Sequence, residues 1–183
     1  MSAILECVNL TKNFGSLAAV SNLNLKLESG RIIGLLGPNG SGKTTLIKMT
    51  AGLLAPNGGS LLINGMEPGV ETKKIVSYLP ERTYFNNSMK VSEILRFFSD
   101  FYEDFDRVKA EDMLKRLDVA PSLKFKALSK GTKEKVQLVM VMARRAKLYL
   151  LDEPIGGVDP AAREYILDTV ISNYSEGASV LIS

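Results

Sequence analysis

The chain is 183 residues long, enough to bury a sizeable core within one domain, and its 45% hydrophobic and 23% charged residues argue against disorder. A net charge of +3 is too slight to imply nucleic acid or an anionic membrane as a partner. The lone cysteine, Cys7, rules out an internal disulfide and fits a reducing compartment, and the absence of histidine rules out His-based triads and His metal sites.

Residues 3–8 and 23–27 read as strands, the second by strict alternation of apolar and polar residues. Arg31 to Leu36 is a short apolar run closed by a Gly-rich loop, the pattern of a buried strand. Thr44 to Leu54 has helical spacing and stops before Pro56, with Asn57-Gly58-Gly59 as a turn. Ser60 to Ile63 and Ile75 to Leu79 read as further strands. Val91 to about Leu117 is helical in two pieces, broken near Asp104 to Asp106. Ser129 is placed to cap a helix running to about Arg145. Leu148 to Leu151 is a fully apolar strand. Asp159-Pro160 is a helix start, with an acidic cap and then proline at the first helical position. That helix is expected to run to about Tyr174, with Gly177 beyond it and Val180 to Ile182 as a last buried strand. Strands thus flank an almost purely helical stretch, which predicts an α/β core with a helical insert at about residues 88–145 and a small antiparallel β layer from the early strands. The N-terminus carries no basic-then-apolar signal segment, and the longest clean apolar run, Leu138 to Ala143, is far short of a membrane span. Any membrane role is therefore expected to run through a partner. The chain stops inside an apolar strand at Ser183, the expected mark of a piece of a longer protein.

Two motifs carry chemistry. Gly37-Pro38-Asn39-Gly40-Ser41-Gly42-Lys43-Thr44 matches the P-loop pattern at every fixed position, after a strand and before a helix. Its glycines let the backbone wrap phosphates closely, and the helix N-terminus adds partial positive charge. Lys43 is placed to neutralise the β- and γ-phosphates, and the Thr44 hydroxyl to ligate Mg²⁺. Downstream, the apolar strand Leu148 to Leu151 ends in Asp152-Glu153-Pro154. Two adjacent carboxylates at the end of a buried strand are costly unless something uses them. Asp152 suits the Mg²⁺ shell and Glu153 suits polarising an attacking water.

With both motifs in this order, the chain resembles the nucleotide-binding domain of the ATP-binding cassette (ABC) family. Leu128-Ser129-Lys130-Gly131-Thr132 stands where that family carries its Leu-Ser-Gly-Gly-Gln signature, and Gly157-Val158-Asp159 resembles its D-loop. Phe14 stands where the family places an aromatic that stacks on adenine, and Pro80-Glu81 where its Q-loop glutamine would be. The resemblance covers the whole chain and looks most like prokaryotic transporter subunits. It implies a P-loop NTPase core with an N-terminal antiparallel β layer and a helical insert, forming one ABC ATPase domain over residues 1–183 that is incomplete at its C-terminus.

The same resemblance implies an ATPase with ATP and Mg²⁺ as cofactors. ATP would be held at Gly37 to Thr45, the metal by Thr44, Asp152 and Glu81, and Glu153 would act as base with Lys43 on the phosphates. Two cassettes would pair head-to-tail, Ser129 and Gly131 of one covering the nucleotide of the other. A membrane-spanning permease would be the coupled partner, on the inner face of the cell membrane, with no nucleic acid bound. The chain departs from the family pattern in three respects: Glu81 replaces glutamine, Lys130 and Thr132 replace the signature's first Gly and its Gln, and the switch histidine would lie just past Ser183. The expectation for this piece is that it binds nucleotide better than it turns it over.

Several residues keep two readings. Phe14 is either the adenine platform or a core residue at a strand end. Phe97, Phe98, Phe101, Tyr102 and Phe105 form either the core of the insert or, in part, a dock for a permease helix. Lys124, Lys126, Lys130, Lys133 and Lys135 are either a solvated face or, in part, a contact to ATP across a dimer. An ABC-type ATPase of a translation factor or of DNA repair is the alternative function. The repair type inserts a very long coiled coil between P-loop and signature, for which the stretch from Lys43 to Leu128 is too short and lacks heptads.

Overall fold

Two strands of twelve residues each, β1 (Ala3–Phe14) and β2 (Leu17–Glu28), open the chain as an antiparallel hairpin. The computed structural model describes residues 3–156 and 160–183. They divide into two units, one of Met1–Tyr78, Ala146–Asp152 and Ser175–Ser183, the other of Leu79–Arg145 and Glu153–Tyr174.

In the first unit β1 and β2 run well past the strands expected at 3–8 and 23–27. The cause is pairing: β1 lies between β2 and β4 (Gly58–Ile63), so ladders on both sides carry it as far as Thr11, and β2 alone pairs it on to Phe14. The surplus residues are absorbed at register shifts, one of them between Cys7 and Leu10. Asn9 adopts φ of 49° there, and Asn22, on β2 opposite the next shift between Leu10 and Lys12, adopts 46°, a left-handed conformation that asparagine tolerates. The Asn9 N–H donates to Asn24 Oδ1 at 2.9 Å, which replaces a ladder bond lost to the irregularity. Cys7 is buried in β1, where desolvation pushes its thiol up to about 11. It fills a core position, inert as a nucleophile.

A second, parallel sheet has the order β3 (Ile32–Gly34), β7 (Ser179–Ile182), β6 (Leu148–Leu151), β5 (Val76–Leu79). Every residue of β6 is fully buried, as its unbroken apolar run requires. β3 is shorter than the expected 31–36, although the Leu35 N–H still donates to Ile182 O at 2.7 Å. Helix α1 (Lys43–Thr50) sinks Leu46, Ile47 and Met49 into a core shared with Leu5, Leu10, Ile63, Leu148 and Leu150. It ends before the expected Leu54, where Gly52 turns the chain with φ of 69°. A six-residue helix, α2 (Val70–Ile75), leads into β5. The sequence does not announce it, because six residues are too few to show a helical period.

The second unit carries α3 (Val91–Phe101), α4 (Arg107–Arg116), a 3₁₀ turn at Phe125–Ala127, α5 (Lys130–Met142) and α6 (Pro160–Asn173). Caps set the starts. Asp106 accepts the Lys109 N–H at 3.0 Å, and Glu93 reaches back to accept the Lys90 N–H at 2.7 Å. The aromatic stretch divides. Phe98 is buried against Phe85, Tyr102 and Phe105, whereas Phe97 and Phe101 stack on each other at 5.6 Å with 50% and 69% of their surfaces exposed. Arg144 is buried, lies 3.8 Å from the centroid of the Tyr102 ring and binds both oxygens of Asp104. Among the described residues no helix is long and apolar enough to cross a membrane.

Candidate nucleotide site

The loop Gly37 to Gly42 joins β3 to α1. Gly42 is the residue before the helix, with φ of 89° and no side-chain cap. A Cβ there would run into the Ala19 carbonyl, so sterics as well as backbone conformation restrict the position to glycine. The first turn of α1 holds no acidic side chain. Its leading N–H groups, which have no acceptor within the helix, therefore face outward with the positive end of the helix dipole. Lys43 opens the helix and folds back over the loop, donating to Gly37 O at 2.9 Å and Pro38 O at 3.0 Å. Its ammonium is thus held against the loop's carbonyls beside the N-terminus of α1, a position suited to an anion. Asn39, Gly40 and Ser41 are exposed and Thr45 is half-buried beside Thr44.

Sheet order brings three chain segments together at one end of the first unit. β3, β7 and β6 are neighbours and parallel, so the segments leaving their C-terminal ends lie side by side. Asp152, after β6, is 1% exposed. Its Oδ1 accepts from the Thr44 hydroxyl at 2.9 Å and from the Ser183 hydroxyl at 3.1 Å. Its Oδ2 is buried with no partner among the described residues. An ionised carboxylate with one satisfied and one buried, unsatisfied oxygen is costly on its own. A hard cation next to a threonine hydroxyl and a carboxylate would remove that cost, so the donor set suits Mg²⁺. Phe14 sits at the hairpin end of β1 with its ring about half exposed and Lys12 Nζ 5.3 Å from its centroid. The core reading of Phe14 therefore does not hold.

The second unit carries the remaining candidates. Ser129 caps α5, its Oγ accepting the Thr132 N–H at 3.1 Å and sharing a hydrogen bond with Thr132 Oγ1 at 2.8 Å. Gly131, in the first turn, is exposed with open space where a Cβ would be. Glu153 adopts φ of 49°, a strained backbone for a glutamate, and its carbonyl accepts the Gly156 N–H at 3.0 Å to close a tight turn. Glu81 is exposed and borders the same cavity as Glu153. The lysines divide: Lys133 lies over the Phe125 ring and Lys135 over Tyr165, at 5.6 and 4.6 Å, while Lys124, Lys126 and Lys130 are exposed. Gly157, Val158 and Asp159, the D-loop candidates, lie outside the described residues.

One residue escaped the sequence reading. Gln137, 2% exposed, donates from Nε2 to Pro80 O at 3.3 Å, next to Glu81. The signal was present, since Gln137 is the one amide beside the apolar run Leu138 to Ala143.

A match to the ABC transporter family spans residues 20–156. The chain is 33% identical over 189 residues to the probable multidrug ABC transporter ATP-binding protein YbhF of Escherichia coli (strain K12), covering 98% of this chain and 32% of that protein. It is 30% identical over 183 residues to the ABC transporter ATP-binding protein YtrB of Bacillus subtilis (strain 168), covering 98% of this chain and 63% of that one. These relatives are thus longer, and the chain spans about a third to under two thirds of their length. Among solved structures, an ATP-binding subunit of an ABC transporter superimposes with a TM-score of 0.86 at 29% identity, covering 98% of this chain and 78% of that one. The loop Gly37 to Gly42 and the buried Asp152 both lie within the matched span, and the chain belongs to the ABC transporter family, among its ATP-binding subunits.

Proposed function

We propose that the chain binds Mg-ATP at Gly37 to Thr45 and hydrolyses it to drive transport through a membrane-spanning permease. The observation that carries this reading is the bond from Thr44 Oγ1 to Asp152 Oδ1 beside the unpartnered Oδ2. The backbone N–H groups of the loop and the Lys43 ammonium bind the phosphates, and Phe14 offers its exposed ring to the base. Thr44 and Asp152 would hold the metal; Glu81 is a further oxygen donor only as the family resemblance implies. Bound Mg²⁺ would neutralise charge on the β- and γ-phosphate oxygens. Glu153 orients the attacking water and accepts its proton.

Ser129 and Gly131 act on a second ABC domain in a head-to-tail pair, where the open approach to Gly131 lets its backbone near a γ-phosphate. The exposed Phe97–Phe101 pair gives a permease helix an apolar contact. The chain works on the inner face of the cell membrane through that partner. Glu153→Gln tests the reading: Mg-ATP affinity should stay within about twofold and turnover should fall by about a hundredfold or more. Undiminished turnover would move the base elsewhere.

A further inference from the structure

A buried amide in the apolar stretch Val136 to Met142 of α5 is costly unless both its ends are used. Gln137 uses one end only. Its Nε2 donates to Pro80 O, which also fixes the orientation of the amide, since the reverse would set two oxygens against each other. Its Oε1 is buried and has no partner among the described residues. Gln137 borders a cavity of about 40 Å³ walled by Leu79, Leu138 and Ile166 and by the carboxylate-bearing Glu81, Glu134 and Glu153. That volume admits a water, which needs roughly 10–15 Å³, and the lining supplies acceptors for both its protons. The Glu153 side chain folds back over its own turn, so that Oε2 would lie 3.3 Å from a Cβ on Gly156, itself part of the cavity wall.

We infer that Gln137 is a positioning residue for Glu153: a water bound in this cavity donates one proton to Gln137 Oε1 and the other to the Glu153 carboxylate, while the Gln137 amide holds the Pro80–Glu81 segment. α5, which begins at the capped Ser129, is thereby tied to both Glu81 and Glu153. The role assigned to Gln137 rests on the proposed function of Glu153 as base, whereas the water itself does not. Two measurements test it. A crystal structure of the chain that resolves waters should show one within hydrogen-bond distance of both Gln137 Oε1 and Glu153, and a dry cavity overturns the inference. Gln137→Met, which keeps the volume and removes the acceptor, should lower kcat for Mg-ATP about tenfold, with KM and nucleotide affinity unchanged. A merely structural glutamine would move the melting temperature and leave kcat per folded molecule within twofold, which also overturns it. Glu153→Gln serves as the control: if it turns over as fast as the parent chain, the reading of Glu153 as base fails and the positioning role falls with it, and the crystal structure still decides the water.

Discussion

Thr44 and Asp152 are 108 residues apart in sequence, yet the threonine hydroxyl donates to the aspartate Oδ1 at 2.9 Å. Neither side chain could find the other by local structure. The contact exists because β3 and β6 both flank β7 in parallel, so that the start of α1 and the end of β6 meet at one edge. Asp152→Asn keeps the shape and can still accept from Thr44, but loses the charge. Its Mg²⁺-dependent gain in ATP affinity should shrink by at least about tenfold, with the metal-free affinity little changed. Titration calorimetry with and without Mg²⁺ reads this directly. An unchanged metal dependence would remove Asp152 from the metal site.

Arg144 and Asp104 form the most buried ion pair described in the second unit. The guanidinium is buried, binds both carboxylate oxygens and lies over Tyr102. Removing one partner of such a pair leaves an uncompensated charge, at a cost of about 3–5 kcal/mol. Because Asp104 keeps 23% of its surface in solvent, Asp104→Ala should fall toward the lower end of that range. Arg144→Met combined with Asp104→Ala should recover part of the loss. Chemical denaturation of both single variants and the double variant checks this, and additive effects would show that the pair contributes nothing as a pair.

Asp106 gives a pH-dependent signature. The hydrogen bond from Arg145, then the one from the Lys109 N–H, hold its carboxyl below the ordinary 3.8. A folded-state pKa below the unfolded one adds stability that is present above the unfolded value and is lost as pH falls through the folded value. Asp106→Asn retains a helix cap and removes the charge. The variant should be less stable than the parent at pH 7, and the gap should close as pH drops below about 3.8. Because the Arg145 partner is largely exposed, added salt should narrow the gap at pH 7 as well. A gap that is constant with pH would show that the interaction is not electrostatic.

How much of the fold and the site is legible in the sequence depends on how local the cause is. The loop Gly37 to Thr44, the cap at Ser129 and the buried strand Leu148 to Leu151 come from short patterns whose physics is complete within a few residues. Asp152 is assignable as a candidate, but not its contact with Ser183 or the state of its Oδ2, which depend on sheet order. β1 and β2 exceed their expected lengths because Asn9, Asn13 and Asn22 are poor strand residues, and the pairing of β1 overrides them. The aromatic stretch cannot be divided from sequence because a spacing of four puts Phe97 with Phe101 and Phe98 with Tyr102 equally well. Only packing decides which pair faces inward.

On the reading proposed above, Gly37 to Thr44 and Asp152 form a working Mg-ATP site in this chain. The most direct test of that reading is the melting temperature with and without Mg-ATP, with Lys43→Ala as control. At a hundredfold excess over the dissociation constant, binding should add about 2.7 kcal/mol, a rise of several degrees for a chain of this size, and the rise should vanish in Lys43→Ala. A cooperatively melting chain whose midpoint is the same with and without Mg-ATP would contradict that reading.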